Sequence, residues 1–266
     1  MKGNGTFSSS LVKSSAARIR AGSCAVFVIL LLISSGFADD GRNLSAAVQN
    51  GAQRVSTHDV GPLPAAARSQ IFAAIGEDQP SFHAVARPGG FLVENTTHAL
   101  SAEFTATGVE VRHGGHRWRL ALNAFGYGGV LRNVTDQAPT ADANRVEYRR
   151  GTLVEWYLNG PLGLEQGFTL DRAPERLDGG PLTLGFMLSG DLTPSIALGA
   201  RTLTLKKDGA VTLRYSGLTA WDADRRELAA WFETAGDQLR IRVDDDGARY
   251  PLTIDPYVQA AKLTTA

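Results

Sequence analysis

Three sets of side chains in this sequence could carry chemistry. The first is His113-Gly-Gly-His116, two imidazoles that could chelate a cation. They fall at a turn between two strand-like segments, and no third ligand is close in sequence. A protein metal site takes three or four ligands in fixed geometry, so solvated turn histidines are the simpler expectation. His58, His83 and His98 are scattered and show no pairing.

The second set is carboxylate. Asp222-Ala-Asp224 and Asp244-Asp245-Asp246 cluster hard oxygens of the kind that bind Ca²⁺. Neither has the spacing of an EF-hand loop, and both fall where the strand pattern asks for a turn, a place that favours Asp. Glu155 and Glu165 lie on successive strand-like segments. Two carboxylates facing across a cleft would suit glycoside hydrolysis, with a histidine to assist. The sequence contains no Gly-x-Ser-x-Gly elbow, phosphate-binding loop or His-Glu-x-x-His motif.

The third set is aromatic: Trp118, Tyr127, Trp156, Tyr157, Trp221 and Trp231. Exposed rings stack on sugar faces, whereas buried rings fill sandwich cores. Trp156 and Tyr157 must point to opposite faces of a strand, so only one can join any platform. Asn43, Asn95 and Asn133 are glycosylation sequons, which matter only in a pathway that glycosylates. On this reading no catalytic, cofactor-binding or metal residue is assigned, and no cofactor is implied.

The elements that must position these groups read as strands. Phe91–Glu94, Ala99–Thr105 and Gly108–Arg112 are bounded by Gly, Asn or Thr. From His116 the chain alternates strictly, with Trp118, Leu120 and Leu122 on one face and Arg117 and Arg119 on the other. Residues 131–144 are polar and turn-rich, a surface loop or a seam between two subdomains. Further strands are expected at 145–149, 152–158, 163–170, 182–189, 202–205, 210–215, 228–233, 238–243 and 249–254. Lys207-Asp-Gly209 and Asp245-Asp-Gly247 place Asp-Gly where hairpins need positive φ. Asp178-Gly-Gly180 and Pro194 mark wider turns. One helix is expected, over 64–75, with Ala67, Ile71 and Ile75 on its apolar face and Gly76 as its stop. The fold class is therefore all-β: a large β-sandwich, single, double or super-sandwich, with one short N-terminal helix.

Length and charge bound the rest. The chain has 266 residues, 27 basic against 27 acidic, and one Cys. That balance gives no overall pull toward nucleic acid, and one Cys makes no intramolecular disulfide. Lys2, Lys13, Arg18 and Arg20 precede an apolar run, Cys24 to Ile33, and a small-residue exit, Ser34-Ser-Gly-Phe-Ala38. This is the grammar of a secretory signal peptide over 1–38, cut after Ala38. The run is about half of the ~20 residues a membrane span needs, which leaves an uncleaved anchor as the alternative. Without the leader, its four basic residues leave and 23 face the 27 acids, for a net charge of −4 and no Cys. Residues 39–80 read as a flexible lead-in holding the helix, 81–258 as the sandwich, and 259–266 as the start of a linker.

Two stretches carry a resemblance. One is Asn144–Gly160 with Gly163-Leu-Glu-Gln-Gly-Phe-Thr-Leu170. The other is Val243-Asp-Asp-Asp-Gly-Ala-Arg-Tyr-Pro-Leu-Thr-Ile-Asp-Pro256, followed by Val258–Thr264. Over about 81–264 the sequence resembles the N-terminal β-rich module of secreted bacterial proteins with FG-GAP (integrin-like β-propeller) repeats, and a related module that precedes SBBP repeats. The resemblance implies a β-rich fold followed by propeller repeats, which would begin where this sequence stops, and it carries over no site residues. The expected function is a non-catalytic, secreted or cell-surface module, structural or adhesive, with the propeller, an extracellular protein or a glycan as partner. A carbohydrate-binding module is the alternative, and a sugar-active β-sandwich enzyme built on Glu155 or Glu165 is the third reading.

Overall fold

The structure is a computed structural model and describes residues 65–196 and 200–260. The predicted leader, its cleavage site and most of the lead-in lie outside the described residues. The helix α1 runs Ala65–Asp78, and a 3-10 turn at Pro80–Phe82 follows. The strands β1 (Val85–Arg87), β2 (Gly90–Asn95), β3 (Leu100–Thr105), β4 (Gly108–His113) and β5 (His116–Tyr127) form an antiparallel meander, and β6 (Val130–Asn133) folds back on β5. A second meander comprises β7 (Thr140–Asp142), β8 (Arg145–Arg150), β9 (Leu153–Gly160) and β10 (Gly163–Leu170). After β11 (Leu182–Gly190) come β12 (Thr193–Ile196), β13 (Leu203–Lys207) and β14 (Ala210–Trp221). The last three are β15 (Ala230–Ala235), β16 (Gln238–Val243) and β17 (Leu252–Ala260).

Two antiparallel sheets result. The first is ordered β1-β2-β3-β4-β5-β11-β16-β15, with β6 beside β5; the second is β12-β13-β14-β17-β10-β9-β8-β7. The expected sandwich is therefore the fold. Alternation places Trp118, Leu120 and Leu122 in the core as the period of two requires, at 6 % exposure or less. Four ring pairs join the sheets: Phe104–Tyr157 at 4.9 Å, Tyr215–Phe232 at 5.1 Å, Phe168–Phe186 at 5.6 Å and Trp118–Tyr215 at 5.7 Å between centroids.

Several expectations need correcting. Asp208 and Gly209 take φ of 47° and 86° in a two-residue hairpin between β13 and β14, as expected. The second Asp-Gly is no hairpin, because β16 and β17 lie in different sheets and residues 244–251 arch between them. Residues 131–144 carry β6 and β7 and cross from the first sheet to the second. Pro194 sits within β12, an edge strand, where its missing N–H costs nothing. Gln259 pairs with Arg214 inside β17, so the strand continues past the expected linker start.

The helix is laid on the sandwich by a different stripe from the one expected. Phe72 is buried, while Ile71 is 38 % exposed. Gly76 lies inside α1 instead of ending it. A Cβ there would stand 2.3 Å from Asn144 Nδ2 and 2.4 Å from the Asn159 carbonyl oxygen. Close approach, not chain termination, is the reason for that glycine. Among the described residues no helix is long and apolar enough to cross a membrane.

Candidate functional site

The groups singled out in the sequence are mostly committed to the fold. Glu155 and Glu165 do not form a pair. On the β9–β10 ladder Glu155 stands opposite Phe168 and Glu165 opposite Leu158, so strict alternation turns them to opposite faces of the sheet. A two-carboxylate glycosidase centre cannot be built from them.

Glu155 faces the core and is 3 % exposed. Its Oε1 accepts hydrogen bonds from Tyr157 Oη at 2.7 Å and Gln166 Nε2 at 3.0 Å, and its Oε2 from Arg150 Nη1 at 2.9 Å. Tyr215 Oη donates to Gln166 Oε1 at 2.6 Å, and the Arg150 guanidinium lies 4.7 Å from the Tyr148 ring centroid. Burial pushes the Glu155 carboxyl up, opposed by the Arg150 charge and by the Tyr157 and Gln166 hydrogen bonds. Burial and the nearby Glu155 charge also push up the phenols of Tyr148, Tyr157 and Tyr215. This is a buried polar network between the sheets.

The aspartates are spent on loop closure. Asp222 Oδ1 accepts from the backbone N–H groups of Asp224 and Arg226 at 2.9 and 3.0 Å. Its Oδ2 accepts from Arg226 Nε at 3.2 Å and from the Arg249 N–H at 3.4 Å. Burial works against its charge, but these donors hold its carboxyl below the usual range. Asp224 takes both oxygens to Arg249 Nη1, at 2.7 and 3.1 Å. Asp245 is buried, and its Oδ2 accepts from Tyr127 Oη and Tyr250 Oη, each at 2.7 Å. Arg176 reaches its Oδ1 at 3.2 Å while lying 3.9 Å from the Tyr127 ring centroid. Asp244 accepts from the Asp246 N–H at 3.3 Å. Among the described residues no group of three or more His, Cys, Asp or Glu is placed to hold a metal ion. His113 and His116 face each other across the β4–β5 turn. His113 Nδ1 lies 3.0 Å from the Ala99 carbonyl oxygen, and His116 Nδ1 lies 3.8 Å from Asp191 Oδ2.

The rings are likewise structural in the main. Trp118, Tyr127 and Tyr157 are core residues. Trp156 lies on the outer face of the second sheet, pressed over Gly167, where a Cβ would stand 1.9 Å from its ring. Arg145 covers it at 4.8 Å, and its Nε1 donates to Thr169 Oγ1 at 3.2 Å. Trp221 and Trp231 are half-buried. Asn95, one of the sequons, is fully buried: its Nδ2 donates to Asn159 Oδ1 at 2.8 Å and to the Gly160 carbonyl at 2.7 Å. The folded chain offers that nitrogen to no glycan.

The terminal motif has two structural uses. Tyr250 latches the arch between β16 and β17 onto Asp245. Pro256 sits in β17, a central strand, and cannot donate to a ladder. Opposite it β14 slips register between Ser216 and Thr219, leaving Gly217 at φ 73° in a bulge. The bulge opens a groove of about 410 Å³, lined by Leu162, Thr202, Ser216, Thr219, Tyr257 and Gln259, with Arg201 at its rim. Sequence reasoning missed Tyr257 as a site residue; a glycine inside a strand pattern, Gly217, was the available signal for the bulge. It also missed Arg150, Gln166 and Tyr215, whose roles depend on which strands become neighbours.

Comparison with protein-family models, with curated proteins and with solved structures finds no match to this chain.

Proposed function

We propose that this protein is a non-catalytic, secreted or cell-surface β-sandwich module with a structural or adhesive role, heading a chain of FG-GAP-type repeats. The observation that carries the reading is the use made of the terminal motif. Tyr250, Leu252, Ile254 and Pro256 close the core and latch one end, and β17 runs between β10 and β14 at the sheet centre. Such a strand is a firm anchor for a following domain, because drawing it out breaks two ladders at once. Glu155, Asp222, Asp224 and Asp245, carboxylates that could do chemistry, each accept two or more hydrogen bonds from donors within the fold. Export is part of the reading and rests on the basic, apolar and small-residue succession over 1–38. The test is to recover the natural polypeptide from the organism's outer fractions and determine its N-terminus and mass. A chain that begins at Asp39 and continues into propeller repeats supports the proposal. A chain retained in the cytosol with residues 1–38 intact, or one without repeats, refutes it.

A further inference from the structure

We propose that the groove at the β14 bulge is a binding site for a neutral carbohydrate. The inference goes beyond the module reading and does not depend on export or on any repeat. The Tyr257 ring lines the groove with its Cδ2–Cε2 edge at Gly217, where a Cβ would stand 3.3 Å from Cδ2 and 4.0 Å from Cε2. A side chain at 217 would crowd that edge of the ring, so the glycine leaves the ring its place beside the bulge. Around the ring stand the hydroxyls of Thr202, Ser216 and Thr219 and the amide of Gln259, with Leu162 as an apolar wall.

Charge selects the ligand class. Arg201 is the charged side chain among the described residues that line the groove, and its guanidinium is already paired with Glu227 at 2.8 Å. Neither a strong anion nor a cation finds an uncompensated partner there. A pyranose does find complementary groups, since its C–H face stacks on an aromatic ring and its hydroxyls exchange hydrogen bonds with side-chain hydroxyls and amides. The volume, about 410 Å³, falls within the usual span of small-molecule sites. The Gln259 amide is held in place by donating to the Leu162 carbonyl at 2.9 Å, and Thr219 Oγ1 by donating to the Asp255 carbonyl at 3.4 Å. Both groups are thereby pre-oriented, which lowers the ordering cost of binding.

Isothermal titration of the full chain with cellohexaose, xylohexaose and mannohexaose tests the proposal. Saturable binding of at least one is expected, weakened roughly tenfold or more by Tyr257→Ala and largely kept by Tyr257→Phe, which preserves the ring. Ser216→Ala with Thr202→Val, both at partly exposed positions, should weaken binding severalfold and serves as the second variant if Tyr257→Ala does not fold. Absence of heat with all three sugars overturns the proposal. So does binding that neither variant alters, or a groove that responds only to an added peptide.

Discussion

Replacing Arg150 with Met should expose how the buried Glu155 carboxylate is held. Both side chains are almost fully buried, with 7 % and 4 % exposure, and their charges meet at 2.9 Å. Met keeps much of the aliphatic volume but leaves the carboxylate without its counter-ion. Removing one partner of a buried pair costs about 3–5 kcal/mol. The lost contact with the Tyr148 ring adds about 0.5–2 kcal/mol. Against the ~5–15 kcal/mol that a domain has in hand, that is a large fraction. The pH dependence gives the mechanism away. Burial raises the folded-state value of the Glu155 carboxyl above its unfolded value, and the Arg150 charge works against that rise. Without Arg150 the rise grows. A raised group contributes stability that is complete below the unfolded value and is lost as pH climbs through the folded one. The variant should therefore be most deficient near neutrality and recover toward wild type on acidification, as Glu155 takes up a proton and no longer needs a counter-ion. Urea unfolding followed by tryptophan fluorescence from pH 4 to 8 would measure this, with Arg150→Met/Glu155→Gln as the partner variant. A loss under about 1 kcal/mol, or one that does not change with pH, would refute the reasoning.

Asp245→Ala should cost about 2–4 kcal/mol, because it strands two phenols and frees Arg176; thermal melting measures it, and a shift of only a degree would argue that the latch is idle. Asp222→Asn should lower the melting temperature at pH 7 and flatten its fall in acid. The folded carboxyl is held low, so its contribution is present above the unfolded value near 3.9 and lost as pH falls through the folded one. Gly76→Ala should loosen α1 despite alanine's better helix propensity, seen as faster proteolysis within 65–78; unchanged cleavage would mean that the 2.3 Å approach to Asn144 is easily relieved. The phenols of Tyr127, Tyr148, Tyr157, Tyr215 and Tyr250 are all raised, chiefly by burial. Their stabilisation is complete below about pH 10 and lost above it, so the share of the phenolate absorbance at 295 nm that belongs to these five of the six tyrosines should rise only with alkaline unfolding.

What the sequence determined by itself was the local grammar. Alternation at Trp118, Leu120 and Leu122 set the core face of β5, because side-chain direction in a strand has a period of two whatever lies beside it. Asp208-Gly209 set a hairpin, because few residues accept positive φ at both positions. The class followed from many short strands with such breakers. Tertiary structure decided everything that depends on which strands become neighbours. Asp-Gly at 246–247 has the same local chemistry as 208–209, yet it arches between sheets, since β16 pairs with β11 and β15 while β17 pairs with β14 and β10. Glu155 and Glu165 looked like a pair along the chain, but register sends one into the core and the other outward. Gly76 reads as a helix stop until Asn144 and Asn159 arrive beside it from strands far along the chain. The groove at Tyr257 needs Pro256, Gly217 and the β14–β17 pairing together. No single stretch contains all three, so only the assembled sheet could place that ring.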